Sequence, residues 1–256
     1  MYNLRTKILF SLLPLLIWLL VHPISAAGTR DIRIHYLGHA GFIIQFGNGI
    51  GIVTDYAAFH HIGDFKPDIA TYSHGHDDHA GGVLPKETRH ILSRSMALEL
   101  DGISIKPIIT SEASAGNNDN SSYLFTYKDF KILHLGDAHG DISQIMAADE
   151  QEHLRQILPD EIDLLLMPIG SSGQRSISNA QVAAFIDFVH PRMVIPMHYW
   201  TFWGKRSFLK YIERRNGTNG NKYKITRVDG SEYAINASRG QAPDAIQVIS
   251  LEGADF

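Results

Sequence analysis

A chain of 256 residues, 44% hydrophobic and 20% charged, is long enough to bury a substantial core and too apolar to read as disordered. With 23 basic and 27 acidic residues the formal charge is −4, so there is no basic excess to grip a phosphate backbone; no nucleic-acid partner is expected, and a small-molecule substrate is. The absence of cysteine excludes disulfides, a thiolate metal ligand and a cysteine nucleophile, which leaves packing and any bound metal to supply stability.

The chain opens on Arg5 and Lys7, continues through an apolar run from Ile8 to Val21, and then reaches small residues at Ser25, Ala26 and Ala27. That order reads as a secretory signal over residues 1–27, cut near Ala26 or Ala27, ahead of one domain over residues 28–256. An uncleaved anchor is the competing reading, but the run is shorter than the roughly 20 residues a spanning helix needs and it contains Pro14. The mature protein is therefore expected outside the cytoplasm, periplasmic or secreted, with no stable membrane anchor. Asn120-Ser-Ser, Asn216-Gly-Thr and Asn236-Ala-Ser fit the glycosylation pattern, which matters only in a eukaryotic secretory pathway.

After the signal, IRIHYLG, GFIIQFG and GIGIVTDY are short β-rich runs separated by Gly- and Asn-containing turns, and they read as an antiparallel meander. DIATYSH is a buried strand, followed by a weaker one at His90 to Ser93 and a further one at ISIKPIIT. YLFTYKDFKILHLGD reads as two strands joined at Lys128 and Asp129. The period then changes: ISQIMAADEQEHLRQIL is amphipathic at helical spacing, and SNAQVAAFIDFVH is a helix capped by Ser178 or Asn179. DLLLMPIG and MVIPMHY are strands, and the tail supplies a helix around FLKYIERR and two strands, YKITRV and AIQVISLEG. Mixed sheets covered by helices are the natural packing for such an order.

The segment Ser73-His74-Gly75-His76-Asp77-Asp78-His79 lies where an apolar strand gives way to a Gly-containing turn. Two imidazoles two residues apart can converge on one cation because Gly75 lets the backbone turn without a side-chain clash, while Asp78 and His79 can face a second cation. Two such cations generate hydroxide at neutral pH and polarise the bond it attacks. A His-rich surface loop that binds metal adventitiously is the alternative.

The spacing H-x-H-x-D-H resembles the signature of the metallo-β-lactamase superfamily, and the likeness runs through most of the chain. Leu37-Gly38-His39-Ala40-Gly41-Phe42 resembles the opening strand turn, Asp55 the acidic residue ending the third strand, and Phe65-Lys66-Pro67-Asp68 the lead-in to the metal strand. Leu135-Gly136-Asp137 and Ile195-Pro196-Met197-His198-Tyr199 resemble the later motifs. Within the superfamily, the pairing of a bridging Asp with P-M-H-Y is similar to the branch containing ascorbate-6-phosphate lactonase.

The resemblance implies an α/β fold, an αββα four-layer sandwich of two mixed sheets. It also implies two divalent metal ions, with zinc expected first and manganese or iron as alternatives. Carried over, His74 and His76 hold metal one, Asp78, His79 and His198 hold metal two, and Asp137 bridges. The branch usually has a further His where this chain reads Thr110-Ser111-Glu112; Glu112 is the candidate replacement, the alternative being a solvated loop residue with Asn117, Asn118 or water in that position. The implied reaction is attack of hydroxide on a small ester, lactone, amide or phosphodiester, with Asp78 and Asp137 as catalytic carboxylates; His139, two residues after Asp137, is either a proton donor at the rim or a solvated loop residue. The rival is a non-catalytic metal- or ligand-binding relative with an incomplete centre.

Asp55 is read as a partner orienting a ligand His. His39 is either beneath the metals or a satisfied core residue. His60, His61, His90, His134, His153 and His190 are treated as structural or surface residues, and Tyr199-Trp200-Thr201-Phe202-Trp203 as core packing or a substrate wall beside His198. The sequence carries no mark of oligomeric state.

Overall fold

The computed structural model describes residues 31–112, 116–170, 177–220, 222–238 and 243–253. The expected signal segment, residues 1–27, lies outside them. In chain order come β1 (Ile32–Gly38), β2 (Gly41–Phe46), β3 (Gly51–Thr54), β4 (Ile69–Tyr72), the single turn α1 (Asp77–Ala80), β5 (His90–Ser93), β6 (Leu98–Leu100), β7 (Ile103–Thr110), β8 (Asn120–Tyr127) and β9 (Phe130–His134). Then follow α2 (His139–Gln144), α3 (Ala148–Ile157), β10 (Leu164–Pro168), α4 (Asn179–Val189), β11 (Met193–Met197), α5 (Phe202–Asn219), β12 (Tyr223–Arg227), β13 (Glu232–Ile235) and β14 (Ile246–Ser250).

They form two mixed sheets, in the orders β13-β1-β2-β3-β4-β5 and β12-β14-β11-β10-β9-β8-β7-β6. The first three strands form the expected antiparallel meander, and β4 and β5 continue it in parallel. Alternation sorts their side chains. Phe42, Ile44, Ile52 and Ile69 enter the large core shared with the second sheet, whereas Ile43, Val53 and Ala70 pack on the other face against Ile62, Phe65 and Leu84. That outer face is thus covered by loop residues. The longer helices α4 and α5 contribute Val182, Phe185 and Ile186, and Phe208 and Ile212, to the large core, and α5 packs on β12 of the second sheet. Ser178 caps α4 through a capping box with Gln181.

Three expectations need correction. The helix read from Ile142 to Leu158 is two helices that part between Gln144 and Ala148, where Met146 is exposed, although Ile142, Ile145 and Leu154 all enter the same core. The tail contains an additional strand, β13, which pairs with β1 on the opposite sheet from β12 and β14. β6 is a short edge strand on β7 that its three residues were too few to announce.

Candidate metal centre

The chemistry-bearing residues all follow strand ends. His39 follows β1, Asp55 follows β3, His74 to His79 follow β4, Glu112 follows β7, Asp137 follows β9 and His198 follows β11. Parallel strands deliver their carboxyl ends to one edge, and two sheets packed face to face bring their edges together. Three of these residues, His39, Asp55 and His198, have left-handed backbone with φ of 48°, 41° and 56°. Non-glycine residues in that region cost energy and concentrate at functional sites. The His39 turn is held on every carbonyl: Gly38 accepts from His60 Nε2, Ala40 from His134 Nε2, and His39 from Tyr36 Oη and the His198 amide. His60 and His134 are structural histidines, each also accepting a backbone N–H at Nδ1.

Asp55 is the buried hub behind the cluster. It accepts from the Ser73 amide at 2.7 Å, the Ser73 hydroxyl at 2.7 Å and His79 Nδ1 at 2.8 Å. Burial works against its charge, but the His79 ring and these hydrogen bonds outweigh it and hold the carboxyl well below the usual range. Burial likewise opposes charge on His79, yet Asp55 raises the basicity of that ring. His198 Nδ1 donates to the Gly170 carbonyl at 3.1 Å, and burial drives its pKa far down, so the ring is neutral. Both Nδ1 atoms act as donors, which leaves the Nε2 atoms of His79 and His198 facing each other at 3.2 Å. A cation with metal–nitrogen distances of about 2.0–2.1 Å fits between nitrogens so spaced.

His74 and His76 form a second close pair of rings. His74 Nδ1 points to the Ser73 hydroxyl at 3.0 Å, and its Nε2 lies 2.9 Å from His76 Nδ1. Burial lowers the His74 pKa to about 4. The buried Glu112 carboxylate stands 3.7 Å from His74 Nε2 and 3.6 Å from His76 Nδ1. Its loop is fixed from behind: the Glu112 amide donates to Asp119 and the Ser111 amide to Asp141, each at 2.7 Å.

Among the described residues four overlapping donor groups result: His74, His76 and Glu112; His74, His79 and Asp137; His39, Asp78, His79 and His198; and Asp137, His139 and His198. Asp137 joins them, with Oδ2 3.6 Å from His198 Nε2 and Oδ1 against His139 Nδ1. Burial opposes its charge, but His139, His198 and His79 hold the carboxyl down. The structure thus brings together His74, His76, Asp78, His79, Glu112, Asp137, His139 and His198.

His139 is not at a solvated rim. It is 2% exposed, at the start of α2, with its ring edge-on to His198. His39 is buried beneath the cluster, its Nε2 3.2 Å from Asp78 Oδ2, and that contact is the main cause of the low pKa of Asp78. Sequence reasoning passed over Asn120 as a glycosylation site. It is 1% exposed, donates to the Leu135 carbonyl and accepts from the Asp137 amide, so it sets the bridging position from below.

The Tyr199–Trp203 segment divides. Trp200 lies 4.2 Å, ring to ring, from His39, which itself lies 4.0 Å from His198, and so stands beside the donors. Phe202 and Trp203 are exposed at the start of α5, against the expectation of core packing. A cleft of about 630 Å³ runs between Tyr199, Trp200, Lys205 and Glu252, floored by Gly38 and His39.

The profile of the beta-lactamase superfamily domain matches residues 33–198, from the first strand to the last donor. The chain belongs to the metallo-β-lactamase superfamily. Its relatives within the superfamily include a UPF0173 protein of Pyrococcus abyssi, 26% identical over 212 residues covering 72% of this chain and 91% of that protein. A UPF0173 metal-dependent hydrolase of Methanosarcina mazei is 24% identical over 209 residues, covering 67% and 85%. Among solved structures, a candidate zinc-dependent hydrolase of the same superfamily from Thermotoga maritima is 25% identical with a TM-score of 0.60, covering 86% of this chain and 98% of that one. An isothiocyanate hydrolase from Delia radicum gut bacteria, 13% identical with a TM-score of 0.53 over 80% of this chain and 100% of its own, shares the fold alone. These matches do not single out the lactonase branch.

Proposed function

We propose that the protein is an exported metal-dependent hydrolase with a two-cation centre, acting on a small ester, lactone or phosphodiester. The observation that carries this reading is the convergence of His79 and His198, Nε2 to Nε2 at 3.2 Å, with the Asp78 and Asp137 carboxylates beside them, a donor set that suits a cation. The activity agrees with the names of the Methanosarcina relative and the Thermotoga structure.

In this reading His74, His76 and Glu112 hold one cation, Asp78, His79 and His198 the other, and Asp137 lies between. Zinc suits the imidazoles of the second position, while the Glu112 carboxylate shifts the first towards manganese or iron. Cations held by these residues would supply a lowered pKa for water and polarisation of the bond under attack. Asp78 and Asp137 orient the attacking water and take its proton, His139 keeps Asp137 in place, and His39 does the same for Asp78. Trp200 forms the apolar side of the substrate approach. The rival, a relative without turnover, rests on a missing donor at the first position; the Glu112 carboxylate, 3.7 Å from His74 Nε2 and 3.6 Å from His76 Nδ1, supports the hydrolase reading against it.

The test is metal analysis and turnover of model esters, lactones and bis-aryl phosphodiesters before and after chelation. Activity is expected to vanish with the metal and return with it, and His198→Ala to lose at least one equivalent and its activity. Undiminished hydrolysis by the chelated protein, or wild-type metal content and rate in His198→Ala, would reject the assignment. Export is tested by N-terminal sequencing of the mature protein, expected to begin between Ala26 and Thr29; intact Met1 in a soluble cytoplasmic pool would sink it.

A further inference from the structure

The charge of this chain is unevenly placed. Although the whole carries −4, residues 202–228 contain eight basic side chains between Lys205 and Arg227 and one acidic one, Glu213. Ion pairs with Asp187 and Glu213 occupy Arg215, Lys222 and Arg227. Among the described residues Arg206, Lys210 and Arg214 have no ion-pair partner, and all are exposed.

Their spacing puts them on one stripe of α5. Phe208, Leu209 and Ile212 face the core, whereas Trp203, Arg206, Lys210 and Arg214 recur at three- and four-residue intervals on the outward side. At its N-terminal end the stripe carries two large exposed aromatics, Phe202 at 61% and Trp203 at 69%. The Arg206 guanidinium lies 5.4 Å from the Trp203 ring centroid, so cation and aromatic share one patch.

Exposed aromatics beside a row of unpaired cations match the two layers of an anionic bilayer surface: the rings reach the headgroup–acyl boundary, and the cations meet lipid phosphates. A soluble sulfated polysaccharide would use the cations and leave the aromatics without a partner. We infer that the outward face of α5 from Phe202 to Arg214 docks on an anionic membrane surface. No described helix is long and apolar enough to cross a membrane, so the contact is peripheral. The inference does not rest on the proposed reaction. Docking would hold the Trp200 side of the metal centre close to the bilayer.

Because the chain has no cysteine, a single one can be introduced and labelled with a nitrobenzoxadiazole fluorophore, whose emission rises in apolar surroundings. Full-length Phe202→Cys is compared with Val83→Cys, a position 89% exposed, each mixed with vesicles of phosphatidylcholine alone or with phosphatidylglycerol. The label at 202 and not at 83 is expected to brighten with the phosphatidylglycerol vesicles, whatever the apolar stretch Ile8 to Val21 does elsewhere. Adding Arg206→Gln and Lys210→Gln is expected to lower the partition coefficient read at 202 roughly thirtyfold, since each cation near an anionic surface contributes about a factor of five. Folding of each variant is checked by its circular dichroism.

Three outcomes overturn the inference: no change at 202, equal changes at both positions, or a bright label indifferent to vesicles, which shows the patch covered by another part of the chain. Heparin binding that is equal in wild type and Trp203→Ala, without vesicle binding at 202, assigns the stripe to a soluble polyanion instead.

Discussion

The Asp55 carboxylate lies 2.8 Å from Nδ1 of His79, and neither side chain reaches solvent. This contact fixes which nitrogen of His79 carries the proton and leaves Nε2 turned towards His198. In Asp55→Asn the amide N–H₂ would face Nδ1 and favour the opposite tautomer, putting the proton where a metal should bind. Metal affinity measured by chelator competition is expected to fall roughly ten- to hundredfold. Affinity equal to wild type would remove Asp55 from the site.

Glu112→Gln tests the other side. The carboxylate is buried between His74 and His76, and the amide keeps its shape while removing its charge. After dialysis against limiting metal, the variant is expected to lose one equivalent or to change its preference among zinc, manganese and iron. Unchanged stoichiometry, preference and rate would make Glu112 a bystander.

Asp141 links this loop to pH. It is buried and accepts the Ser111 amide, and burial first, then the neighbouring Glu150 and Asp119, push its carboxyl up to about 7. An unfolded chain releases that proton near 3.8, so between there and about 7 only the folded chain retains it. Stability therefore falls as pH rises through this window and stays lowered above it. Asp141→Asn keeps an acceptor oxygen and carries no charge. It is expected to be more stable than wild type near pH 8, by up to about 4 kcal/mol, with the gap closing towards pH 5. Thermal unfolding across that range reads the difference; parallel curves would show that Asp141 does not titrate there.

Gly136 precedes the bridging Asp137 with φ of 58°, and a Cβ on it would lie 2.4 Å from Ser73 Cβ and 2.7 Å from Asn120 Oδ1. Gly136→Ala is expected to cost about 2–4 kcal/mol through overpacking and left-handed strain, and to lower metal content with it. A variant with wild-type melting temperature and metal content would show that the contact relaxes freely.

What the sequence made legible was local. His74, His76, Asp78 and His79 fall within six residues, so their convergence needs only one turn, and alternation in the strands marked both sheets. The supporting groups were hidden because their roles are made across the fold: Asn120 is 17 residues from the amide it fixes, and His39 meets Asp78 only when the β1–β2 turn folds under α1. Phe202 and Trp203 misled because an apolar residue reads as buried until the helix that turns it outward is known.

His79 and His198 stand 119 residues apart in the chain, one at an edge of each sheet. A cation gripped by both would act as a cross-link closing a very long ring, a restriction of the unfolded chain that a disulfide over about 100 residues makes worth about 4–5 kcal/mol. This protein has no cysteine with which to make one. Under the dinuclear reading, a chelator should then do to it what a reducing agent does to a disulfide-bonded secreted protein: release the ring, let the sheet edges part and open the chain to proteases.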